Sequence, residues 1–100
     1  MIVMKLRVFV EIKQKSDDIY IVTVSDKFTT SHNVEVTENM LNDLTDNRIT
    51  KYSLIEFSFN YLLDRESNTS ILSFFNIEVI SRYFAEYLEE VKRWCDEYSI

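Results

Sequence analysis

The two side chains best suited to metal binding or nucleophilic catalysis occur once each in this chain, as His32 and Cys95. They lie far apart and form no zinc-finger, C-x-x-C or H-E-x-x-H pattern. Cys95 belongs to an apolar row with helical spacing, which is typical of a buried structural cysteine. The sequence therefore predicts no metal site and no cofactor, and a nucleophilic pair of Cys95 with His32 is the less favoured alternative.

Carboxylates are the remaining groups that could serve as general acid and base, because paired acids do so when their environments separate their pKa values. Three pairs are adjacent in sequence: Asp17-Asp18, Glu89-Glu90 and Asp96-Glu97. Adjacent residues on a helix do not face each other, so neither helical pair converges on one substrate atom. Glu56 and Asp64 fall on a predicted buried helix, where an inward Glu56 would need Arg48 or Lys51 as a partner. We predict no catalytic residues and a protein that is not an enzyme.

The chain contains neither glycine nor proline. Phosphate-binding loops, dinucleotide fingerprints and nucleophile elbows require glycine where the backbone reaches positive φ or approaches a ligand closely. These three classes of site are therefore excluded, and turns must be made by Asn, Asp and Ser. The predicted turns are Ser16-Asp17-Asp18, Ser31-His32-Asn33, Asp46-Asn47, Ser67-Asn68 and Asn76.

Length and charge bound the class of protein. We expect one domain, 1–100, with a β-rich part, 1–36, and a helical part, 37–100, and an apolar fraction of 46% suffices for one core. The absence of a charged leader and of any apolar run of about 18 residues predicts no export and no membrane partner. A single cysteine fits a reducing cytoplasm or simply leaves the compartment open, and the predicted location is cytoplasmic. The net charge is −6 and the excess acid lies after Val36, which disfavours nucleic acid as a partner.

Alternation of apolar and polar residues predicts strands in the first third of the chain. The first strand carries apolar residues at every second position: Met4, Leu6, Val8, Val10 and Ile12. The β-branched run 19–24 predicts a second strand, connected through residues 14–18. Val34 and Val36 predict a shorter third strand after a link, 26–33, that holds Phe28 and His32.

Apolar residues at three- and four-residue spacing predict helices in the remainder. Thr37 is placed to cap a short first helix, and Thr50 a second, almost entirely apolar helix that ends near Asp64. A helical turn over 70–75 leads through Asn76 into the longest helix, whose apolar row is Ile77, Ile80, Phe84, Tyr87, Leu88, Val91, Trp94 and Cys95. The predicted fold class is α+β, an N-terminal antiparallel β-hairpin or three-stranded sheet followed by three to four helices.

Two stretches, RESNTSILSFFNI at 65–77 and ISRYFAEY at 80–87, resemble a C-terminal signature of a family of small uncharacterised prokaryotic proteins. In that family a hairpin and helices precede a segment of the type RE..SIL..F.L.VI.RYFPEY. The resemblance covers about residues 30–90 and implies a shape without an activity. Ala85 stands where the family has proline, so we expect the last helix to run straight through this position.

A second resemblance, on NVEVTENMLNDL at 33–44 and ITKYSLIE at 49–56, is to ribbon-helix-helix DNA-binding proteins. In those proteins two chains pair their strands, and outward strand residues read the major groove. The resemblance assigns that role to Ser31, Asn33 and Glu35. Glu35 would face phosphates, and no Lys/Arg cluster flanks the strand. A regulator of this kind is therefore the alternative function.

Aromatic residues are dense in the helical half of the chain, and a core of this size does not easily hide them all. Aromatic anchors with a polar rim are typical of interfaces. We predict a non-enzymatic interaction domain, a homodimer or the partner of an unidentified protein. The candidate interface is Tyr83, Phe84, Tyr87 and Trp94, or an uncovered sheet edge. An over-aromatic core explains these residues equally well, and an acidic inhibitor that imitates nucleic acid is a third option.

Overall fold

A computed structural model describes residues 8–98 and shows an α+β fold. Strands β1 (Phe9–Gln14), β2 (Ile19–Ser25) and β3 (Thr29–Glu35) form an antiparallel meander, and β4 (Phe74–Asn76) pairs in parallel with β3. The strand order is β1-β2-β3-β4. The three-stranded N-terminal sheet predicted from the sequence is confirmed, and the part of the predicted first strand at 4–7 lies outside the described residues.

The turn between β1 and β2 is built by side chains in place of glycine. Ser16 Oγ accepts from the Ile19 amide at 3.2 Å, and the Lys15 and Ser16 amides both donate to the Ile19 carbonyl, at 2.8 and 3.1 Å. These bonds satisfy the backbone where the chain reverses. The predicted turn at Ser16-Asp17-Asp18 is confirmed.

β3 is longer than the sequence predicts. The predicted link over 26–33, with its turn at 31–33, is therefore wrong. Only residues 26–28 turn, and β3 begins at Thr29. His32 is buried in the strand because both ring nitrogens are bonded: Nδ1 donates to the Leu72 carbonyl and Nε2 accepts from the Thr30 hydroxyl, each at 2.7 Å. A polar side chain with both groups satisfied is tolerated on a buried face.

The two predicted helix starts are confirmed by their caps. Thr37 Oγ1 accepts from the Met40 amide at 3.1 Å and begins α1 (Glu38–Thr45), and Thr50 Oγ1 accepts from the Ser53 amide at 3.1 Å and begins α2 (Lys51–Leu63). Between them, Asp46 and Asn47 have φ of 55° and 59°, the positive φ values found in residues 8–98. Apart from glycine, Asn and Asp are the residues that best tolerate the left-handed region of positive φ.

The segment after α2 forms a strand where the sequence predicts a helical turn. A 3₁₀ turn at Asn68–Ser70 is followed by an extended chain and by β4. The Asn33 amide donates to the Ser73 carbonyl at 2.8 Å, so the segment is held by the edge of β3. A short apolar run does not by its periodicity distinguish a strand from a buried helix, which explains the wrong prediction for 70–75.

The predicted straight last helix is also wrong, because the chain breaks it at Phe84. A second 3₁₀ turn (Ile77–Val79) leads into α3 (Ile80–Tyr83), Phe84 is extended with φ −132° and ψ 101°, and α4 (Tyr87–Tyr98) follows. The break occurs without proline at position 85. Phe84 packs edge-on against Tyr61, with ring centroids 5.9 Å apart, so the redirected backbone serves burial of this ring.

The core lies between one face of the sheet and the helices. Its fully buried members come from every layer and include Val22, Val24, Val34, Leu54, Ile55, Phe59, Ile77, Tyr87 and Val91. α2 is central, as predicted, because buried residues occur on most of its circumference. Within residues 8–98 no helix has the length and apolarity needed to cross a membrane.

A buried amide fixes the chain after α2 to the sheet. Asn68 is 2% exposed, and its Nδ2 donates to the carbonyls of Phe28 at 2.9 Å and Val24 at 3.3 Å and to Thr30 Oγ1 at 2.9 Å. These bonds close the β2–β3 turn from outside the hairpin. Asn68 thereby positions the segment that leads into β4.

We expect Asn68→Ala to lower the free energy of unfolding by about 1–3 kcal/mol, because it removes the buried Nδ2 donor that bonds to the Val24 and Phe28 carbonyls and to Thr30 Oγ1. Urea unfolding followed by circular dichroism measures the effect. Asn60→Ala, at an exposed position on α2, is the control and is expected to change stability by less than about 0.5 kcal/mol. Equal effects of the two variants would contradict a structural role for the Asn68 side chain.

Candidate functional site

The four residues predicted as an interface do not form one surface. Tyr83 is 69% exposed, Phe84 and Trp94 are half-buried, and Tyr87 is fully buried. Tyr87 Oη and Ser58 Oγ form a hydrogen bond of 2.6 Å inside the core. Tyr87 is therefore a core residue, and its assignment to the interface is wrong, because the break at Phe84 separates it from Tyr83.

Tyr83 and Phe84 instead line an apolar cavity beside β4, here called the edge groove. Its volume is about 160 Å³, and eight of its ten lining residues are apolar or aromatic. The lining comes from α2 and the turn after it, from the chain before β4, from β4, and from the second 3₁₀ turn through Phe84: Leu62, Glu66, Ser70, Ile71, Leu72, Phe75, Val79, Ile80, Tyr83 and Phe84. All but Leu62 belong to the segment 65–87.

Local hydrogen bonds and packing fix the walls of the edge groove. Phe75 points inward from β4 and packs against Phe59 of α2, with ring centroids 6.1 Å apart. Asn76 Oδ1 accepts from the Val79 amide at 3.1 Å and caps the second 3₁₀ turn, as the turn prediction at Asn76 requires. The groove is thus a preformed feature of the fold, held from both sides.

The groove borders an open strand edge. The Ser73 carbonyl bonds to β3, and in a parallel strand alternate residues turn their amide and carbonyl groups to opposite edges. The amide and carbonyl groups of Phe74 and Asn76 therefore point away from β3. No strand of residues 8–98 pairs with this outer edge of β4. Phe74 is 64% exposed on the face of β4 opposite Phe75, and Leu72 and Tyr83 of the groove lining are 49% and 69% exposed.

Charge at the edge groove is sparse and acidic. Glu66 is the charged residue of its lining, and within the described part of the chain its carboxylate has no hydrogen bond or ion pair. The neighbouring cation, Arg65, lies over the Tyr61 ring at 3.6 Å and donates to the Tyr61 carbonyl at 2.8 Å. The groove therefore combines apolar walls with one available negative charge.

Trp94 belongs to a different feature, a row of rings between α2 and α4. Trp94 stacks on Phe57 at a centroid distance of 4.5 Å and contacts Tyr98 at 5.5 Å, and Phe57 continues to Tyr61 at 6.4 Å. These rings join the two helices, which is the packing explanation that the sequence left open. Of the predicted interface residues, Tyr83 and Phe84 remain at the groove.

Sequence reasoning missed Leu72 and Glu66 of the groove lining, and it also missed Phe74 of the neighbouring strand β4. Leu72 and Phe74 are separated by two positions, which is the strand period, but the surrounding run was assigned to a helix. Glu66 carries no signal in the sequence, because its place depends on how the chain leaves α2. The candidate site could therefore not be predicted without β4, which forms part of its wall.

The residues that the sequence offered for catalysis or metal binding hold the fold together, are exposed or are buried. Lys51 Nζ donates to Asp18 Oδ1 at 3.1 Å and to the Asp17 carbonyl at 2.8 Å, so this acidic pair holds the first turn against α2. Glu56 and Asp64 are exposed. Burial raises the pKa of the Cys95 thiol. Among residues 8–98, no three His, Cys, Asp or Glu side chains cluster where they could hold a metal ion.

β3 also separates this chain from the ribbon-helix-helix architecture. Ser31, Asn33 and Glu35 lie on the open face of the sheet, as an outward role would require, but β3 pairs with β2 along its length and with β4 at Asn33–Glu35. Over Asn33–Glu35 both edges of β3 are paired, so this part of the strand is not available to a second chain. The strand-to-strand dimer of those proteins is therefore not built on β3.

The chain is thus an α+β domain with a preformed apolar groove at a sheet edge. It matches no protein-family model, no curated protein and no solved structure.

Proposed function

We propose that the protein is a small non-enzymatic interaction domain of the cytoplasm that forms a homodimer through the edge groove. The observation that carries this proposal is the position of an apolar cavity beside an open strand edge, with two exposed apolar side chains, Leu72 and Tyr83, in its lining. Interfaces are built from such anchors and pockets, surrounded by polar groups. The proposal needs no cofactor, no metal and no catalytic residue.

A second copy is the partner proposed because this surface is poorly suited to isolation in water. Leu72 and Tyr83 both line the groove and are 49% and 69% exposed, and clustered apolar exposure marks interaction sites more often than scattered exposure does. Within residues 8–98 no strand pairs with the outer edge of β4, which adds main-chain donors and acceptors that a second strand would satisfy. The strand edge would contribute hydrogen bonds to the affinity of the dimer, and the cavity would contribute shape complementarity.

We expect Leu72→Asp to raise the dissociation constant of the homodimer by about 30-fold or more, the size of effect typical of a buried anchor at an interface. Size-exclusion chromatography with light scattering over a wide concentration range gives the mass of the wild type and the variant. Leu88→Asp is the matched control, because Leu88 is 50% exposed on α4, outside the groove, and Leu72 is 49% exposed.

The control variant is expected to dimerise as the wild type does, and both variants are expected to keep the wild-type circular dichroism spectrum. A wild type that remains a monomer at every concentration would overturn the proposed homodimer. Equal weakening by Leu72→Asp and Leu88→Asp would show that added negative charge, and not the groove, controls association.

A further inference from the structure

We propose that a polar cavity between the β2–β3 turn and the 3₁₀ turn at Asn68–Ser70, here called the turn cavity, binds a free α-amino acid with an apolar side chain. The inference goes beyond the proposed function, because the turn cavity shares no lining residue with the edge groove. Its volume is about 460 Å³, within the range of about 300–1,000 Å³ typical of small-molecule sites. It is lined by Asp26, Lys27, Phe28, Ser67, Asn68 and Thr69.

The buried side chain of Asn68 gives the turn cavity an open acceptor. Asn68 is 2% exposed, and its Nδ2 donates within the fold to two carbonyls and to the Thr30 hydroxyl. Its Oδ1 accepts no hydrogen bond from residues 8–98, and in this part of the chain Tyr61 Oη is the unpartnered side-chain atom that is fully enclosed. Asn68 Oδ1 therefore opens to the cavity that Asn68 lines. Because buried polar groups are nearly always bonded, this acceptor points to a ligand with a donor.

Asp26 adds a second acceptor close to the first. The Phe28 carbonyl accepts from the Asp26 amide at 3.2 Å and from Asn68 Nδ2 at 2.9 Å, so one atom holds both residues on the same side of the turn cavity. The Asp26 carboxylate is exposed and has no hydrogen bond or ion pair within the described residues. A carboxylate beside an amide oxygen suits an ammonium group, which has donors only.

Lys27 and two hydroxyl groups supply donors to the same cavity. Ser67 Oγ and Thr69 Oγ1 are hydrogen-bonded at 2.9 Å, and Ser67 Oγ also accepts from the Thr69 amide at 3.3 Å. Their mutual bond uses one of the two hydroxyl hydrogens and leaves the other for a ligand. Lys27 Nζ has no ion pair among residues 8–98. An ammonium and a hydroxyl donor together suit a carboxylate.

The balance of charge and the one aromatic wall identify the class of ligand. The lining contributes one negative charge, at Asp26, and one positive charge, at Lys27. A free α-amino acid carries one charge of each sign at neutral pH, so its two charged groups complement the lining, whereas a simple anion or cation matches only half of it. Phe28 is 64% exposed and provides the apolar surface for the side chain of the amino acid.

Titration of the ¹⁵N-labelled full-length chain with L-leucine, followed by two-dimensional NMR, tests the site. We expect saturable shifts of the backbone amides at 26–28 and 67–69. N-acetyl-L-leucine lacks the ammonium group and L-leucinamide lacks the carboxylate, so each is expected to bind about tenfold more weakly, the effect of losing one hydrogen-bonded charged group. D-glucose, which has hydroxyl groups and no charge, is the comparison for a ligand without either group.

Two pairs of variants assign the charges. Asp26→Asn and Lys27→Met are each expected to raise the dissociation constant for L-leucine about tenfold. Asp43→Asn on α1 and Lys92→Met on α4 are the matched controls, because they make the same changes of charge at exposed positions outside the turn cavity. The controls are expected to leave the constant within about twofold of the wild-type value. Asn68 is left unchanged, because it also holds the β2–β3 turn.

The outcomes that would overturn the inference are distinct. No saturable shift with L-leucine, or shifts confined to the edge groove, would remove the site. Equal binding of N-acetyl-L-leucine or L-leucinamide would show that the cavity does not recognise both charges. Tighter binding of D-glucose would assign the cavity to a polyhydroxyl compound. The homodimer is measured separately by light scattering, so failure of either proposal leaves the other standing.

Discussion

Tyr87→Ala is expected to lower the free energy of unfolding by about 3–5 kcal/mol, the range for truncating a large buried aromatic side chain. Tyr87 is fully buried, and the truncation also removes the partner of the Ser58 hydroxyl. Because small domains have about 5–15 kcal/mol of stability, the variant is expected to be close to unfolding. Urea unfolding followed by tryptophan fluorescence measures the change.

Tyr83→Ala is the natural control, since Tyr83 is the same residue type four positions earlier and is 69% exposed. We expect it to cost less than about 1 kcal/mol, as for surface substitutions, and to weaken the homodimer. The contrast tests the helix break directly. If the two variants destabilise equally, Tyr83 and Tyr87 share a face, as in the straight helix that the sequence predicts.

The two tyrosines illustrate what the sequence can and cannot provide. A spacing of four residues places side chains on one face only if the helix is continuous, and neither glycine nor proline marks a break between them. The break at Phe84 accompanies the packing of its ring against Tyr61 on α2. Such a long-range contact leaves no local signal, so the interface assignment failed at Tyr87.

Several predictions with a local cause were confirmed. Thr37 and Thr50 cap helices because their hydroxyl groups reach amides three residues later, and Asp46-Asn47 turns because these residues tolerate positive φ. Strands β1 to β3 follow from alternation and short turns. β4 is different, because it exists through pairing with β3, about forty residues earlier in the chain, and the edge groove depends on it.

The two buried tyrosines are expected to make the protein less stable at alkaline pH. Burial raises the pKa of Tyr87 and of Tyr61, so the folded state favours the neutral phenol. Their contribution to stability is complete below the ordinary tyrosine pKa near 10 and is lost as pH rises beyond it, by up to about 1.4 kcal/mol per pH unit for each group. We expect the free energy of unfolding to fall steeply above pH 10.

Lys51 adds to the same loss. Burial alone would lower its pKa, but hydrogen bonds and charge from Asp18 and Glu38 outweigh burial and raise it. A raised lysine pKa stabilises the fold below the ordinary lysine value and ceases to do so as pH rises through the folded value. Lys51→Met is therefore expected to reduce stability at neutral pH and to make the alkaline decline shallower.

Two conservative variants isolate the tyrosines. Tyr87→Phe and Tyr61→Phe each remove a group with a raised pKa, so both are expected to flatten the decline between about pH 10 and 12. At pH 7 their effects should differ in sign. Tyr87→Phe loses the bond to Ser58 and is expected to cost about 1–2 kcal/mol, whereas the Tyr61 hydroxyl is buried without a hydrogen-bond partner in residues 8–98, so its removal should stabilise.

Urea unfolding of Tyr87→Phe, Tyr61→Phe, Lys51→Met and the wild type at intervals from pH 7 to about pH 11.5 measures the stability at neutral pH and its alkaline decline together. An unchanged alkaline slope in Tyr87→Phe would show that this tyrosine ionises in the folded state as readily as in the unfolded state, contrary to its burial. Destabilisation by Tyr61→Phe at pH 7 would show that its hydroxyl has a bonding partner. Because the two tyrosine substitutions remove one oxygen each and keep the rings, packing changes little and the opposite signs report on hydrogen bonding.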